Sequence, residues 1–366
     1  MNEQDWHDMG DFAAFERAGL SDIRIGQTAL AVSVVNGELA VISGRCNHVG
    51  GPLGQGTLDG EYVTCPWHQW QFHRKTGVGP PGSEEDVVPS FATRVENGRA
   101  FVDLASATQR KRARHEPHPL TRPVERAPGP VRVVGVSTTV MNRAYPRHST
   151  SELLLGISLE EAKSALGCET QLIRLNELEF RHCEGFYSKS ARACTWPCSI
   201  TQMDPKDQMD RVYEAFVHWA DVILVATPIR WGAASSLYFK MVERCNCIQN
   251  QEIIASRVLM SNKVAAFIIT GGQDNVQGVA GQMMTFFSEL GCQFPQHPFI
   301  AHSRGWAAED MENNISAVEN SIELREGAQA LARRSVEMAN LFISGEHPAL
   351  ELVKGGRKAA RLRTDS

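Results

Sequence analysis

The chain has 366 residues, enough for two or three domains that each bury a core. Hydrophobic residues make up 42% and charged residues 22%, and the formal net charge is −5, which argues against nucleic acid as the main partner. The absence of a hydrophobic signal core or a membrane-length apolar run, together with 9 cysteines, predicts a cytoplasmic protein without membrane contact, whose cysteines serve as thiols or metal ligands.

Residues 8–104 alternate short apolar runs with turn signals. The runs 29–35 and 39–42 flank Asn36-Gly37, and a similar pair of runs flanks Asn97-Gly98, which is the pattern of two β-hairpins. We therefore predict a small all-β barrel over residues 1–104, with its ligand loops at one tip.

Four potential metal ligands occur in this region as two mixed pairs, Cys46 with His48 and Cys65 with His68. A structural zinc finger usually has both cysteines in one half of the motif and both histidines in the other. Mixed pairs instead suit a two-iron cluster in which thiolates bind one iron and imidazoles bind the other. The alternatives are a zinc ribbon, or cysteines that merely pack in the core.

The first hundred residues resemble the Rieske [2Fe-2S] proteins. The features that carry the resemblance are the two ligand pairs, the turn Gly50-Gly51-Pro52-Leu53 and the loop Cys65-Pro66-Trp67-His68. The resemblance implies that the four ligands hold a Rieske cluster. The loops have no additional cysteine for the disulfide of high-potential members, so we expect a potential near the low end of the Rieske range, about −150 mV.

A Rieske oxygenase would also need a mononuclear iron site built from two histidines and one carboxylate. We find no helical run of that kind, and the cluster His115-Glu116-Pro117-His118 is interrupted by proline. The sequence therefore favours a ferredoxin or a reductase component over an oxygenase.

Residues 105–130 change in composition. A basic run, 110–114, is followed by closely spaced prolines and no periodic apolar residues, which predicts an extended linker. The last residues, 346–366, are also basic, and we expect a disordered tail there.

Residues 131–345 alternate strand and helix patterns. The β-branched run 131–136 is typical of a strand buried on both faces, and further strands are predicted at 170–175, 222–226, 264–270 and 294–301. Helical patterns cover 152–166, 206–219, 234–246, 276–290 and 308–343. This alternation predicts a doubly wound α/β domain with a five-stranded parallel sheet, in which ligands bind beyond the carboxyl ends of the strands.

Three loops at those strand ends have the composition of a flavin site. Hydroxyl groups near a helix N-terminus suit a phosphate, although Ser149 and Glu152 also fit an N-terminal capping box. The candidate FMN-binding residues are Ser137, Thr138, Ser149, Thr150 and Ser151 in the first loop, Pro228, Ile229, Arg230, Trp231 and Gly232 in the second, and Thr270, Gly271 and Gly272 in the third.

This part of the chain resembles the flavodoxin-like NAD(P)H-dependent FMN reductases. The matching residues are Pro228, Trp231, Gly232, Lys240, Arg244, Gly271 and Gly272, whereas the first loop is longer than the family pattern. Arg230 replaces the usual aromatic residue, which would place a cation near the flavin or form a salt bridge. The resemblance implies FMN as cofactor and NAD(P)H as electron donor.

Cysteines of the second domain are also candidate ligands. Cys183, Cys194 and Cys198 lack the spacing of a four-cysteine cluster, so we do not expect a [4Fe-4S] centre. Cys194 and Cys198 are either a redox pair or idle thiols, and Cys245 and Cys247 are predicted to pack in the core.

Two functions remain open. In the first, NAD(P)H reduces FMN, and electrons pass singly between FMN and the Rieske cluster, to or from a small-molecule (quinone, nitroaromatic or metal) or protein acceptor. In the second, the chain is an electron carrier that serves a partner such as an oxygenase without oxidising NAD(P)H itself. A redox sensor is a third interpretation. We identify no general acid or base, expect a homo-oligomer, and find no dinucleotide fingerprint that would distinguish NADH from NADPH.

Overall fold

The computed structural model describes residues 5–114, 116–271, 275–305, 309 and 312–345. The described chain forms two compact units. The first contains residues up to Pro117 together with the segment Gly185–Ala193, and the second contains His118–Glu184 and the chain from Cys194 onward. The predicted tail 346–366 lies outside the described residues.

Antiparallel strands build the first unit. A six-stranded sheet has the order β1-β9-β8-β4-β3-β2, and a three-stranded sheet has the order β5-β6-β7. Both predicted hairpins are present, because Asn36-Gly37 and Asn97-Gly98 have positive φ at both positions, as a tight hairpin turn needs. The strands are β1 Trp6–Asp11, β2 Leu20–Ile25, β3 Thr28–Val35, β4 Glu38–Ser43, β5 Thr57–Asp59, β6 Tyr62–Thr64, β7 Gln71–His73, β8 Ser90–Glu96 and β9 Arg99–Asp103.

The second unit contains a five-stranded parallel sheet in the order β11-β10-β12-β13-β14. This is the flavodoxin-like strand order. Both predicted fold classes, the β-barrel and the doubly wound sheet, are therefore confirmed. The strands are β10 Arg132–Ser137, β11 Glu169–Arg174, β12 Val222–Pro228, β13 Val264–Gly271 and β14 Phe299–Ser303.

Helices cover both faces of the parallel sheet. The apolar sides of the first helix after β10 and of the long C-terminal helix pack together with alternating residues of the central strands in one continuous core. In chain order the helices are α1 Phe12–Ala18, α2 Thr150–Ser164, α3 Phe186–Lys189, α4 Ser199–Met203, α5 Met209–Tyr213, α6 Ser236–Arg244, α7 Asn246–Ala255, α8 Val276–Glu289, α9 Asn314–Glu319 and α10 Ile322–Ser344. The helices α1 and α3 belong to the first unit. Among the described helices, none is both long and apolar enough to cross a bilayer.

Several helix boundaries differ from the prediction. The pattern at 206–219 begins as α5 only at Met209 and widens to a π-helix over Glu214–Trp219. The pattern at 308–343 contains a break, because Ser321 accepts a hydrogen bond from the Leu324 amide and starts a new helix. The pattern at 234–246 ends at Arg244, and α7 follows directly.

The segment predicted as an extended linker, 105–130, is bound to the two units. Lys111 and Val87 exchange backbone hydrogen bonds at 2.9 Å in the first unit. Arg126 donates to Asp221 at 2.8 Å in the second unit. The composition of residues 105–130 did not predict these contacts, because backbone hydrogen bonds and arginine side-chain contacts do not require periodic apolar residues.

Candidate cofactor sites

The four predicted cluster ligands lie together in the first unit. Cys46 and Cys65 are buried and within hydrogen-bond distance of each other. The Nδ1 atoms of His48 and His68 are 2.9 Å apart, with the ring planes at 72°. Within the described residues, no group of three or more His, Cys, Asp or Glu is arranged to hold a single metal ion. A thiol pair beside an imidazole pair suits a binuclear cluster, with one pair on each iron.

Backbone hydrogen bonds close each ligand loop on itself. The Cys46 amide donates to Gly51 O at 2.9 Å, and the Cys65 amide donates to Trp70 O at 2.7 Å. A Cβ at Gly51 would lie 2.7 Å from Cys65 Sγ, so the glycine is required by the approach of the two loops. The second loop also places Trp70 parallel to the His48 ring, at 5.1 Å.

The electrostatics favour a thiolate at Cys65 and a neutral imidazole at His68. The hydrogen bond from Cys46, with the Trp67 and His68 amides, lowers the pKa of the Cys65 thiol to about 7, and the same pairing and burial raise the pKa of Cys46. Burial lowers the pKa of His68. Thiolate and neutral imidazole are the forms that bind iron.

The outer edge of His68 is enclosed by protein. Its Nε2 donates to Ala193 O at 2.7 Å, and the side chain of Phe186 meets the ring edge-on at 5.3 Å. A carbonyl can only accept, so Nε2 carries the proton and Nδ1 presents its lone pair to a metal. Sequence analysis missed Ala193, because a backbone carbonyl has no residue signature.

In the second unit, the three predicted loops meet at the carboxyl edge of the parallel sheet. Thr150 Oγ1 and Thr270 Oγ1 are 2.8 Å apart, which joins the first and third loops. The Ile229 amide donates to Thr270 O at 2.8 Å, which joins the second and third. A Cβ at Gly271 would lie 2.8 Å from Ile229 Cβ, so this glycine permits the close approach. Gly272 lies outside the described residues.

Hydroxyl groups cluster where α2 begins. Thr139 Oγ1 lies 2.7 Å from Ser149 Oγ and 3.3 Å from Ser151 Oγ. Ser149 also caps α2 by accepting a hydrogen bond from the Glu152 amide at 3.3 Å. The cap is therefore present, and it is compatible with the predicted phosphate contact. Thr139 was not predicted, although it follows the predicted Ser137-Thr138 directly.

Ser137 is the candidate phosphate contact with the clearest local signal. It is fully buried at the end of β10, and its Oγ has no hydrogen-bond partner among the described residues. A buried unsatisfied hydroxyl at a ligand-binding edge indicates a missing acceptor. Thr138 differs, because its Oγ1 and carbonyl oxygen accept from Ser235 Oγ at 3.0 and 2.6 Å, which joins the first loop to the start of α6.

The second loop presents Trp231 to solvent on a tight turn. Arg230 and Ala233 exchange backbone hydrogen bonds, and Trp231 and Gly232 between them have φ of 51° and 69°. Trp231 is 89% exposed. Asn275 Nδ2, from the third loop, donates to Gly232 O at 2.6 Å and holds the turn. A strained, exposed tryptophan at this edge suits stacking on a planar ligand. Sequence analysis missed Asn275.

Arg244 has a structural role. Its guanidinium and the Asp207 carboxylate form a two-point ion pair at 2.8 and 2.7 Å, and both side chains are 0% exposed. Lys240 Nζ lies 4.4 Å from the centre of the Phe180 ring. These two residues of the family pattern therefore support the fold beside the loops.

The thiols of the second unit pair differently from the sequence hypothesis. Cys198 and Cys247, rather than Cys198 and Cys194, are hydrogen-bonded, and this bond lowers the pKa of Cys198 to about 6. Burial raises the pKa of Cys194 to about 11, and Asn246 Nδ2 lies 3.4 Å from its sulfur. Cys245 and Cys247 are buried, as predicted.

Comparison with family models matches residues 5–91 to the Rieske [2Fe-2S] domain and residues 141–307 to the NADPH-dependent FMN reductase. The chain joins a Rieske [2Fe-2S] domain to an FMN reductase domain. These two family descriptions give a Rieske [2Fe-2S] cluster, FMN and NAD(P)H as the cofactors.

Curated relatives match stretches of about 70 to 80 residues of this chain. The ferredoxin component of the p-cumate 2,3-dioxygenase system of Pseudomonas putida is 37% identical over 79 residues, which cover 21% of this chain and 67% of the relative. Ferredoxin CarAc of Metapseudomonas resinovorans is 35% identical over 81 residues, 22% of this chain and 74% of the relative. The oxygenase component of 3-ketosteroid-9-alpha-monooxygenase of Mycolicibacterium smegmatis is 37% identical over 68 residues, and the match spans only 18% of either chain.

Proposed function

We propose that this protein is an NAD(P)H-dependent oxidoreductase that passes electrons between FMN and its Rieske cluster, to or from a small-molecule acceptor, such as a quinone or another aromatic compound, or a protein acceptor. The observation that carries the proposal is that one chain holds two separate sets of residues arranged for these cofactors. One set is the paired donors of the Rieske domain, and the other is the hydroxyl-lined loop edge of the reductase domain.

In the Rieske domain, Cys46 and Cys65 would hold one iron, and His48 and His68 the other. The cluster supplies one-electron transfer when bound. The protein keeps both thiols out of water, fixes the protonation of His68 through Ala193 O, and covers His48 with Trp70. These contacts hold the four ligand side chains in place, so the side chains would rearrange little when a bound cluster gains or loses an electron.

In the reductase domain, Ser137, Ser149 and Ser151 would bind the FMN phosphate beside the N-terminus of α2. Ile229, Trp231 and Gly271 would border the ring system. FMN, when bound, supplies the exchange between a two-electron donor and one-electron steps. Arg230 is exposed beside this edge and would place a cation near the ring. We assign no general acid or base to the chain, since the cofactors, when bound, supply the redox chemistry.

The alternative is an electron carrier. The names of two relatives, a ferredoxin component of a dioxygenase system and a ferredoxin, favour it for the Rieske domain alone. The reductase domain favours the enzyme, because a carrier has no need of a site for NAD(P)H.

Steady-state turnover separates the two functions. Purified protein loaded with both cofactors should oxidise NADPH or NADH in the presence of a one-electron acceptor such as ferricyanide. The Cys65→Ser variant, which should lack the cluster, should still reduce its flavin with the same nucleotide. If neither nucleotide is oxidised while dithionite reduces both cofactors, the protein is a carrier supplied by a separate reductase.

A further inference from the structure

A short segment of the reductase sequence folds with the Rieske domain. Gly185–Ala193 lies between β11 and β12 in sequence, inside the stretch 141–307 that matches the reductase family, yet it belongs to the same compact unit as residues up to Pro117. The segment consists of α3 and the 3-10 turn Ala191–Ala193. Its contacts in that unit centre on the loop that carries Cys65 and His68.

Three contacts fix the segment on this loop. Ala193 O accepts from His68 Nε2 at 2.7 Å. Phe186 packs its ring against the His68 ring at 5.3 Å, with the planes at 67°. Lys189 Nζ donates to Pro66 O at 2.8 Å, one residue from the ligand Cys65. Together they leave His68 only 2% exposed.

The contacts are specific to the ligand rather than general surface packing. Phe186 and Ala193 are both buried, at 8% and 0% exposure, although neighbouring Tyr187 is 42% exposed. The one polar group of the His68 ring that faces away from the other ligands is the group that meets a backbone carbonyl. A fixed Nε2–H bond orients the ring and sets its tautomer, as outer-shell partners of metal-binding histidines do.

We propose that Gly185–Ala193 is a ligand clamp, which positions His68 and closes its outer edge to other proteins. The proposal deepens the function proposed above and rests on it only in taking the cluster as a redox centre. A separate electron-transfer protein would need to reach the Nε2 edge, and Ala193 and Phe186 fill that position. Electrons that pass through His68 therefore enter or leave through this chain's own polypeptide.

The test uses the holoprotein with the double substitution Phe186→Ala/Lys189→Met, and Tyr187→Ala on the same helix as the matched control. Proton ENDOR on the dithionite-reduced cluster, after transfer into D2O, follows exchange of the His68 Nε2 proton. We expect the proton to exchange at least about tenfold faster in the double variant. The variant lacks the Lys189 hydrogen bond and the Phe186 ring contact, and together these two contacts shift the equilibrium between the closed and the open segment by roughly that factor. Tyr187→Ala should exchange at the wild-type rate.

Equal exchange rates in the wild type and the double variant would overturn the clamp. The surface substitution Lys189→Met alone should accelerate exchange of the His68 Nε2 proton by a smaller factor. This single variant keeps the test valid if the double variant does not fold. Freeze-quench EPR after mixing with NADPH gives a second readout, in which the double variant should show slower cluster reduction at an unchanged rate of flavin bleaching. A failure of the proposed function would abolish that second signal in every protein, whereas the exchange experiment would still report on the clamp.

Discussion

Glycine 51 shows how closely a single residue can control the cluster site. Its Cβ position lies 2.7 Å from Cys65 Sγ and 3.2 Å from the Trp67 ring, and its φ is one that other residues adopt. A methyl group there has to displace a ligand sulfur. The requirement is therefore steric, and it acts directly on a cluster ligand.

We expect Gly51→Ala to lose most of its iron and sulfide while keeping its FMN. Iron and sulfide content per chain, together with the visible spectrum, measure this. Gly156→Ala is the matched control, because a Cβ at this helical position meets nothing within 4 Å. Full iron content in Gly51→Ala would contradict the close approach of the two loops at this glycine.

Ser137 offers a test of the phosphate site. Its buried hydroxyl has no partner among the described residues, so Ser137→Ala should leave the stability of the FMN-free protein unchanged or raise it. The same change should weaken FMN binding about tenfold to a hundredfold, because a hydrogen bond to a charged group contributes roughly 1.5–3 kcal/mol.

Flavin fluorescence titration and thermal unfolding of the FMN-free protein provide the two measurements. Ser335→Ala is the control, since Ser335 is buried in α10 and donates to Leu331 O. If Ser137→Ala binds FMN as tightly as the wild type, Ser137 makes no contact with the phosphate.

At the level of secondary structure, the carboxyl edge of the parallel sheet depends on an ion pair behind it. Arg244 at the end of α6 binds Asp207, and also Thr201 Oγ1 and Arg181 O, each at 2.8 Å. Burial raises the pKa of Asp207, but the Arg244 hydrogen bonds outweigh burial and hold that pKa below its usual range. This ion pair holds α6, which follows the second flavin loop, to the chain around α4.

We expect Asp207→Asn to reduce the free energy of unfolding by about 3–5 kcal/mol, because it leaves a buried guanidinium without its carboxylate. Urea unfolding of the full chain, followed by flavin release, measures the change. Asp204→Asn is the control, with a side chain 28% exposed. An effect of similar size in both variants would contradict a special role for the buried pair.

The same pair has a defined pH dependence. Since the folded-state pKa of Asp207 is lowered, its stabilisation is present above the unfolded pKa of about 4 and is lost as the pH falls through the folded value. The stability difference between the wild type and Asp207→Asn should therefore be constant near neutral pH and shrink below about pH 4. A difference that does not change with acidification would show that Asp207 is not ionised in the folded protein.

The sequence predicted those features of the fold and of the sites that depend on the chemistry of a side chain. The β-branched runs at 131–136 and 222–226 predicted buried parallel strands, and Cys46, His48, Cys65 and His68 predicted the ligand pairs. It was uninformative where a requirement falls on the backbone. Neither Ala193 O, which holds His68, nor Gly232 O, which holds the tryptophan turn, leaves a residue signature. Arg244 is a third case. It matches the pattern of the reductase family beside a ligand loop, but its buried ion pair with Asp207 stabilises the fold.

At the scale of the whole molecule, two matched families occur in one chain, and a segment of the second belongs to the same compact unit as the first. The matched stretches 5–91 and 141–307 account for both cofactors. The clamp Gly185–Ala193 lies inside the second stretch by sequence and in the first compact unit by structure. Two independent electron carriers would not need a segment of one family to fold with the domain of the other. The proposed electron transfer between FMN and the cluster gives this segment a function.

The relay from nicotinamide through FMN to the cluster is best tested by anaerobic titration of the purified protein with NADPH and then NADH. Flavin absorbance and the EPR signal of the cluster are followed in the same samples. We expect the flavin to bleach and a Rieske-type signal to appear together with at least one nucleotide. If neither nucleotide changes either signal while dithionite reduces both cofactors, the internal relay is wrong and electrons reach this protein from a separate reductase.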